Sequence, residues 1–164
     1  MRKWLCPEVK PKREVTIPDV SDLIKLEDLL EVDPYSILYN LGYSDVVVAD
    51  IKYLSVPKKK WKKLLLRIYD SIRPLEEYIP ELFDCDDYAT IFSSLVILTF
   101  YTNFKWAKHQ LAFGIAWSNI HAFNLFIDNE ERVWVYEPQN NRIVGEIHEV
   151  KEGIYKVKKV WFMG

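Results

Sequence analysis

The sequence predicts an α+β fold in which helices come first and an antiparallel β-sheet follows them. Apolar residues recur at helical spacing through the first part of the chain, and from Leu111 onwards they alternate with polar residues as in strands. The chain has 164 residues, of which 49% are hydrophobic, and this suffices for one globular domain with a core of ordinary size. We therefore expect a single domain over residues 1–164.

The first half of the chain is predicted to contain an arm and then short helices. Residues 1–18 carry prolines among charged residues and are expected to form an extended arm. Leucines at helical spacing predict a helix over 23–30, and an Asp-Pro pair starts a second short helix over 34–41. A β-branched run at 46–48 predicts a short strand, and a longer amphipathic helix is expected over 58–72.

The next predicted helix begins with a cysteine in its first turn. Asp84 is a plausible N-cap, because Asp87 follows three residues later, where a capping box places a carboxylate. The apolar residues that follow predict a central, largely buried helix. The free N–H groups and the positive end of such a helix would stabilise a Cys85 thiolate, whereas the carboxylates of Asp84, Asp86 and Asp87 would oppose its ionisation.

The last third of the chain has the alternation of strands. Five strands are predicted, over 111–117, 120–127, 132–137, 142–150 and 154–162. Polar turns at 128–130 and 151–153 favour hairpin connections. These strands should form the antiparallel sheet on which the cysteine-bearing helix packs.

The first of these turns sets which side chains share a face of the sheet. If it is the three-residue loop 128–130, Ile127 lies opposite Glu131 and His121 lies opposite Glu137. A loop of even length would move His121 and Glu137 to opposite faces. A pairing of His121 with Glu137 therefore requires a loop of odd length.

Cys85, His121 and Glu137 are the candidate functional residues. A thiol attacks as thiolate, so an imidazole must take its proton and a further polar group must hold that imidazole in one tautomer. Asn124 and Gln139 are second choices for the orienting group. The order of residue types suits a cysteine nucleophile.

These residues lie in three segments, DCDDYA at 84–89, HAFN at 121–124 and YEPQ at 136–139. Together the segments resemble the papain-like cysteine protease domain found at the C-terminus of certain fungal agglutinins. More loosely, they are similar to bacterial transglutaminase-like cysteine peptidases. The resemblance covers about residues 83–139 of the chain.

The resemblance implies a papain-like α+β fold and a cysteine peptidase or amidase. Cys85 would be the nucleophile, His121 the general base and Glu137 the residue that orients the imidazole. The implied reaction is cleavage of a peptide or amide bond through a Cys acyl-enzyme. The substrate would then be a peptide or a protein.

Other functions need the same residues or the same scaffold. An amine in place of water would make the site a transglutaminase or acyltransferase, and a peptidoglycan or isopeptide amidase would use the same thiol chemistry. A non-catalytic protein-binding module would keep the scaffold without the reaction. Product analysis and thiol reactivity distinguish these alternatives.

Composition limits the partners. A formal net charge of −2 gives no general attraction to nucleic acid or to a membrane surface, and the basic run at 58–63 is interpreted as a solvated helix face. The chain shows no signal peptide and no apolar run long enough to span a membrane, so we expect a cytoplasmic protein. A reducing compartment would keep Cys85 free, whereas a disulfide with Cys6 would disable it.

No cofactor is predicted from these residues. Calcium is kept as an alternative, because Asp84, Asp86, Asp87 and Asp128 offer oxygen ligands and the resemblance to the agglutinin proteases implies a calcium-dependent family. The oligomeric state is left open.

Overall fold

The computed structural model describes residues 15–72 and 84–163, which contain three α-helices and eight β-strands. The helices are α1 (Pro34–Asn40), α2 (Lys58–Ile72) and α3 (Cys85–Asn103). The strands are β1 (Leu30–Val32), β2 (Val46–Val48), β3 (Tyr53–Ser55), β4 (Phe113–Trp117), β5 (Ala122–Ile127), β6 (Val133–Glu137), β7 (Arg142–Glu146) and β8 (Lys159–Phe162).

Six of these strands form one mixed sheet, in the order β2-β8-β4-β5-β6-β7. β2 runs parallel to β8, and all other neighbours in the sheet are antiparallel. β1 and β3 pair with each other in a separate antiparallel ribbon. The central strands β4 and β5 are therefore paired on both edges.

Apolar cores lie on both faces of the large sheet. On one face, α2 and α3 pack over Phe113, Phe126 and Tyr136. On the other face, Phe123 and Val135 pack with residues from α1, β3 and β8. The strands β5 and β6 are buried along their whole length because both faces are covered.

The two long helices form where the sequence predicts them. α2 has the predicted bounds, and its buried stripe includes Trp61 and Leu65. The Trp61 Nε1–H donates to the Ile127 carbonyl at 2.9 Å, which ties α2 to the end of β5. No helix of the described residues is long and apolar enough to cross a membrane.

The papain-like arrangement of N-terminal helices before an antiparallel sheet is wrong for this chain. The N-terminal half contributes three strands, and the parallel β2–β8 pair makes the sheet mixed. The helix predicted over 23–30 is a single 3-10 turn at Leu26–Asp28, followed directly by β1. Residues 30–32 pair with β3 instead, and this pairing outweighs the helical spacing of the leucines. A short stretch of sequence cannot predict it, because β3 lies more than twenty residues further along the chain.

Two later strands are shorter than predicted. The strand expected over 142–150 ends at Glu146, and the one expected over 154–162 begins only at Lys159, after a 3-10 turn at Gly153–Tyr155. Residues 1–14 of the predicted arm, including Cys6, lie outside the described residues. The single domain over 1–164 stays a prediction.

The close approach of β4 and β8 gives a test of this topology. A Cβ atom added at Gly114 would lie 2.6 Å from the Trp161 carbonyl oxygen and 3.2 Å from the Phe162 ring. Because the backbone of a central strand cannot easily move, we expect Gly114→Ala to lower the free energy of unfolding by about 1–3 kcal/mol in a urea titration.

Gly145→Ala is the matched control in β7. The nearest side chains would lie 3.5 Å and 3.6 Å from its Cβ, an ordinary contact distance. This variant should be as stable as the wild type or slightly more stable, since alanine restricts the unfolded chain. Equal stability of the two variants would contradict the β4–β8 pairing.

Candidate functional site

Cys85 is the first residue of α3. Asp84 is its N-cap, and the Asp84 N–H donates to Asp87 Oδ2 at 3.2 Å, as in the predicted capping box. The Cys85 thiol is free and partly buried, and its sulfur accepts a hydrogen bond from the Ala122 N–H at 3.4 Å. The sulfur therefore lies beside the positive end of a helix and a backbone donor, both of which favour negative charge.

Asp84 and Asp86 flank Cys85 in the sequence. A hydrogen bond to Asp86 raises the pKa of Asp84 above its ordinary value, and burial adds to this shift. Ligand atoms of Asp84, Cys85 and Asp86 lie within 4.8 Å of one another. Calcium takes about six to eight oxygen ligands, and two carboxylates with a sulfur do not supply that set. The calcium hypothesis gains no support from this cluster.

His121 is positioned by the turn between β4 and β5. The His121 N–H donates to Ser118 Oγ at 3.0 Å, and the Ser118 N–H donates to the His121 carbonyl at 2.9 Å. This closed turn places the histidine immediately before β5. Only 12% of its side chain is exposed, and its ring packs on Phe123 with 5.8 Å between ring centroids.

Glu137 is a buried carboxylate at the end of β6. Its Oε2 lies 2.7 Å from His121 Nε2 and accepts the Tyr155 hydroxyl at 3.0 Å, while Oε1 accepts the Gln139 N–H at 3.2 Å. A buried carboxylate needs such donors, because desolvation without them costs several kcal/mol. Since an ionised carboxylate only accepts, Nε2 carries a proton in this arrangement and Nδ1 is left to accept one.

The predicted residues come together at one end of the sheet, from opposite faces. His121 and Glu137 lie on the face of Phe123, whereas α3 packs on the other face. The structure joins His121 directly to Glu137, and it joins Cys85 to the backbone of Ala122, the neighbour of His121.

The register that places Glu137 differs from the predicted one. Ile127 pairs with Val133 instead of Glu131, so the connection 128–132 has five residues. The buried Asp128 carboxylate organises this wider turn by accepting from the groups Glu130 N–H, Arg132 N–H and Trp134 Nε1–H. Because five is also an odd number, His121 and Glu137 still lie on the same face of the sheet, as their pairing requires.

Neither second-choice orienting residue holds the imidazole. The Asn124 side-chain amide is buried and donates to the carbonyls of Ala89 (2.9 Å) and Gly114 (3.1 Å), which ties α3 to β4 and β5. Gln139 contacts the site only through its backbone N–H, which donates a hydrogen bond to the Glu137 carboxylate. Glu137 is the residue in contact with His121.

Tyr155 and Trp117 belong to the site and were missed by sequence reasoning. Tyr155 bonds Glu137, and Trp117 packs together with Cys85 against Ala89, Ile115 and Ala122. The sequence predicted only that both residues lie in strands, and the residues near them in the chain do not show which distant side chains they contact. The serine of the turn could have been found, since Ser commonly closes turns with its hydroxyl.

The sequence model of the agglutinin C-terminal domain family matches residues 53–143, more than half of the chain. The chain belongs to the agglutinin C-terminal family. The matched region includes Cys85, His121 and Glu137 and ends before Tyr155. No curated protein matches the chain.

Among the solved structures that share the fold, two are compared with this chain. The PSL1a-E64 complex is 24% identical over 81% of this chain and 51% of its own, with a TM-score of 0.63. The Polyporus squamosus lectin bound to a human-type influenza-binding epitope is 23% identical over 78% of this chain and 46% of its own, with a TM-score of 0.61. The chain thus spans about half the length of each, and at these identities the likeness establishes the fold.

These comparisons contradict the function expected from the sequence. The family takes its name from agglutinins, and one protein that shares the fold is a lectin in complex with a glycan epitope. The recognition as a papain-like cysteine protease domain, the class of cysteine peptidase or amidase and the peptide substrate are corrected accordingly. A thiol, an imidazole and a carboxylate in sequence order predict a local geometry, and that geometry does not specify a ligand.

The buried Asn124 amide gives a test of how the site is held together. Asn124→Asp would replace two donors by a carboxylate facing two carbonyl oxygens. We expect it to lower the free energy of unfolding by about 3–5 kcal/mol, because an uncompensated charge would be buried. Asn129→Asp makes the same chemical change in the partly exposed β5–β6 connection and should cost less than about 0.5 kcal/mol. Equal losses in a urea titration would contradict this role of Asn124.

Proposed function

We propose that this chain is a ligand-binding domain of the agglutinin type with a carbohydrate as its partner. Its ligand site would combine Cys85, His121 and Glu137 with the neighbouring pocket lined by Trp117, Lys159 and Trp161, and these residues together are called the cleft. The observation that carries the site is the hydrogen bond between His121 and Glu137, with the Cys85 sulfur bound to the backbone N–H of the adjacent residue, Ala122. The partner class is supported by the family match and by the glycan epitope of the lectin that shares the fold.

The polar side of the cleft would present a reactive thiol. The roles that the sequence suggests for its residues remain proposals: Cys85 supplies the nucleophilic sulfur, His121 accepts its proton and Glu137 orients the imidazole. The hydrogen bonds of Glu137 support the third role, because they leave Nδ1 of His121 as the basic nitrogen. The N–H of Ala122 supports the first, since it donates to the sulfur.

The apolar side of the cleft is aromatic. Trp117 packs against the same small apolar cluster as Cys85, and the Trp161 ring meets the Trp117 ring edge-on at 5.4 Å between centroids. Lys159 Nζ lies 4.7 Å from the centre of the Trp161 ring. Aromatic rings next to a few polar groups are typical of sites that bind small molecules with both apolar and polar surfaces, and sugars are such molecules.

Alkylation by iodoacetamide, followed by intact mass in a Cys6→Ser background, tests the thiol. At neutral pH we expect Cys85 to react faster than the thiol of a short cysteine peptide. His121→Ala should slow the reaction about tenfold or more, because the proton acceptor is lost.

His148→Ala is the matched control, since this histidine has a 53% exposed side chain and pairs only with Glu146 among the described residues. It should leave the alkylation rate unchanged. A wild-type rate equal to that of the peptide, unaffected by His121→Ala, would contradict the proposed site.

Titration with the sialylated epitope of the related lectin, observed by calorimetry, tests the partner class. We expect binding by the wild type and an affinity about tenfold lower for Trp161→Ala, because an aromatic anchor is removed. Trp106→Ala is the control, since Trp106 is 54% exposed and packs edge-on against Phe104 instead. No binding at millimolar epitope, or equal losses in both variants, would contradict a carbohydrate partner at this cleft.

Incubation with an unfolded protein such as casein separates binding from hydrolysis. The proposal expects no cleavage. Cleavage by the wild type that is absent in Cys85→Ala would overturn it and would show that the cleft turns its ligand over.

A further inference from the structure

Tyr155 lies in the segment between β7 and β8, beyond the residues that match the family. A 3-10 turn at Gly153–Tyr155 begins at a glycine with φ of 74°, and the Lys158 N–H then donates to the Trp117 carbonyl at 2.7 Å. These constraints fix the segment against the end of β4. They bring the Tyr155 side chain beside His121.

The Tyr155 hydroxyl links two charged groups. It donates to Glu137 Oε2 at 3.0 Å, the oxygen that also holds His121 Nε2, and it accepts from Arg142 Nη2 at 3.1 Å. Burial raises the pKa of Tyr155, and the nearby Glu137 carboxylate raises it further, so the hydroxyl keeps its proton and can donate. A hydrogen bond to an ionised acceptor is among the stronger ones in proteins.

The Tyr155 ring also restricts the imidazole. It meets the His121 ring edge-on at 5.5 Å between centroids, and it meets the Phe123 ring at 5.3 Å. Phe123 in turn packs on His121. The imidazole therefore has a phenol and a phenyl ring as neighbours, while its Nε2 is fixed by Glu137.

We infer that Tyr155 is a positioning residue for His121, acting through Glu137. The inference rests on the proposed function, since it concerns the same cleft. With the hydroxyl present, Glu137 Oε2 has two donors and cannot rotate away from Nε2 without losing both. Without the Tyr155 hydroxyl, His121 would be the only hydrogen-bond partner of Glu137 Oε2 among the described residues. The imidazole would then be held less firmly, and its Nδ1 would lose its fixed direction.

Tyr155→Phe tests the inference, because it keeps the ring and removes only the hydroxyl. In the Cys6→Ser background we expect the rate of Cys85 alkylation at neutral pH to fall about three- to tenfold, the size of effect that the loss of one ordinary hydrogen bond produces, because Tyr155 acts on His121 only through Glu137. In a Glu137→Gln background the same substitution should change the rate by less than about twofold, because the group through which Tyr155 acts is already altered.

Tyr53→Phe is the matched control for a general loss of stability. The Tyr53 hydroxyl is also buried and donates to a backbone carbonyl, that of Phe162, at 2.9 Å. Its removal should lower the melting temperature about as much as Tyr155→Phe does, yet leave the alkylation rate unchanged.

The outcomes distinguish this inference from the proposed function. If His121→Ala slows alkylation and Tyr155→Phe does not, the positioning role of Tyr155 is overturned and the proposed site stands. Equal slowing by Tyr155→Phe in the wild-type and Glu137→Gln backgrounds would also overturn it, because Tyr155 would then act independently of Glu137. A wild-type rate no higher than that of a cysteine peptide would overturn both.

Discussion

The site is built around one buried carboxylate. Glu137 is only 3% exposed, and a carboxylate at such a place is stable only with several hydrogen-bond donors around it. Its donors come from three separate parts of the chain: the turn before β5, the residues after β6 and the segment between β7 and β8. Each of these parts must therefore fold correctly before the imidazole of His121 is held in one orientation.

The mixed sheet makes that convergence possible. β4 and β5 are paired on both edges and covered on both faces, so the turn between them is a rigid support for His121. α3 is tied to the same two strands by the buried Asn124 amide and by the Ala122 N–H at its first turn. The sulfur of Cys85 thus lies at the start of β5 on the face covered by α3, while the imidazole of His121 lies on the other face.

Elements whose signal is local were predictable from the sequence. α2 has the predicted bounds, and α3 begins where the Asp84 and Asp87 capping box places it. That His121 and Glu137 lie on the same face of the sheet was also predictable, because it depends only on whether the β5–β6 connection has an odd or an even number of residues. The exact register did not follow, since the buried Asp128 carboxylate stabilises a longer turn than composition suggests.

Features that depend on distant partners were not predictable. The parallel pairing of β2 with β8 joins segments more than one hundred residues apart, and the contact of Tyr155 with Glu137 depends on the path of an irregular segment. The function was misjudged for a related reason. The order of a thiol, an imidazole and a carboxylate specifies how side chains meet, whereas the choice of ligand depends on the surrounding surface, including Trp117 and Trp161.

Glu137 holds His121 through Nε2, and nitrogen-15 NMR of the imidazole is the sharpest test of that contact. We expect a low-field Nε2–H resonance with slow solvent exchange, absent in His121→Ala and shifted in Glu137→Gln. A histidine protonated at Nδ1 instead, or one whose N–H exchanges as rapidly as that of the exposed His148, would contradict it.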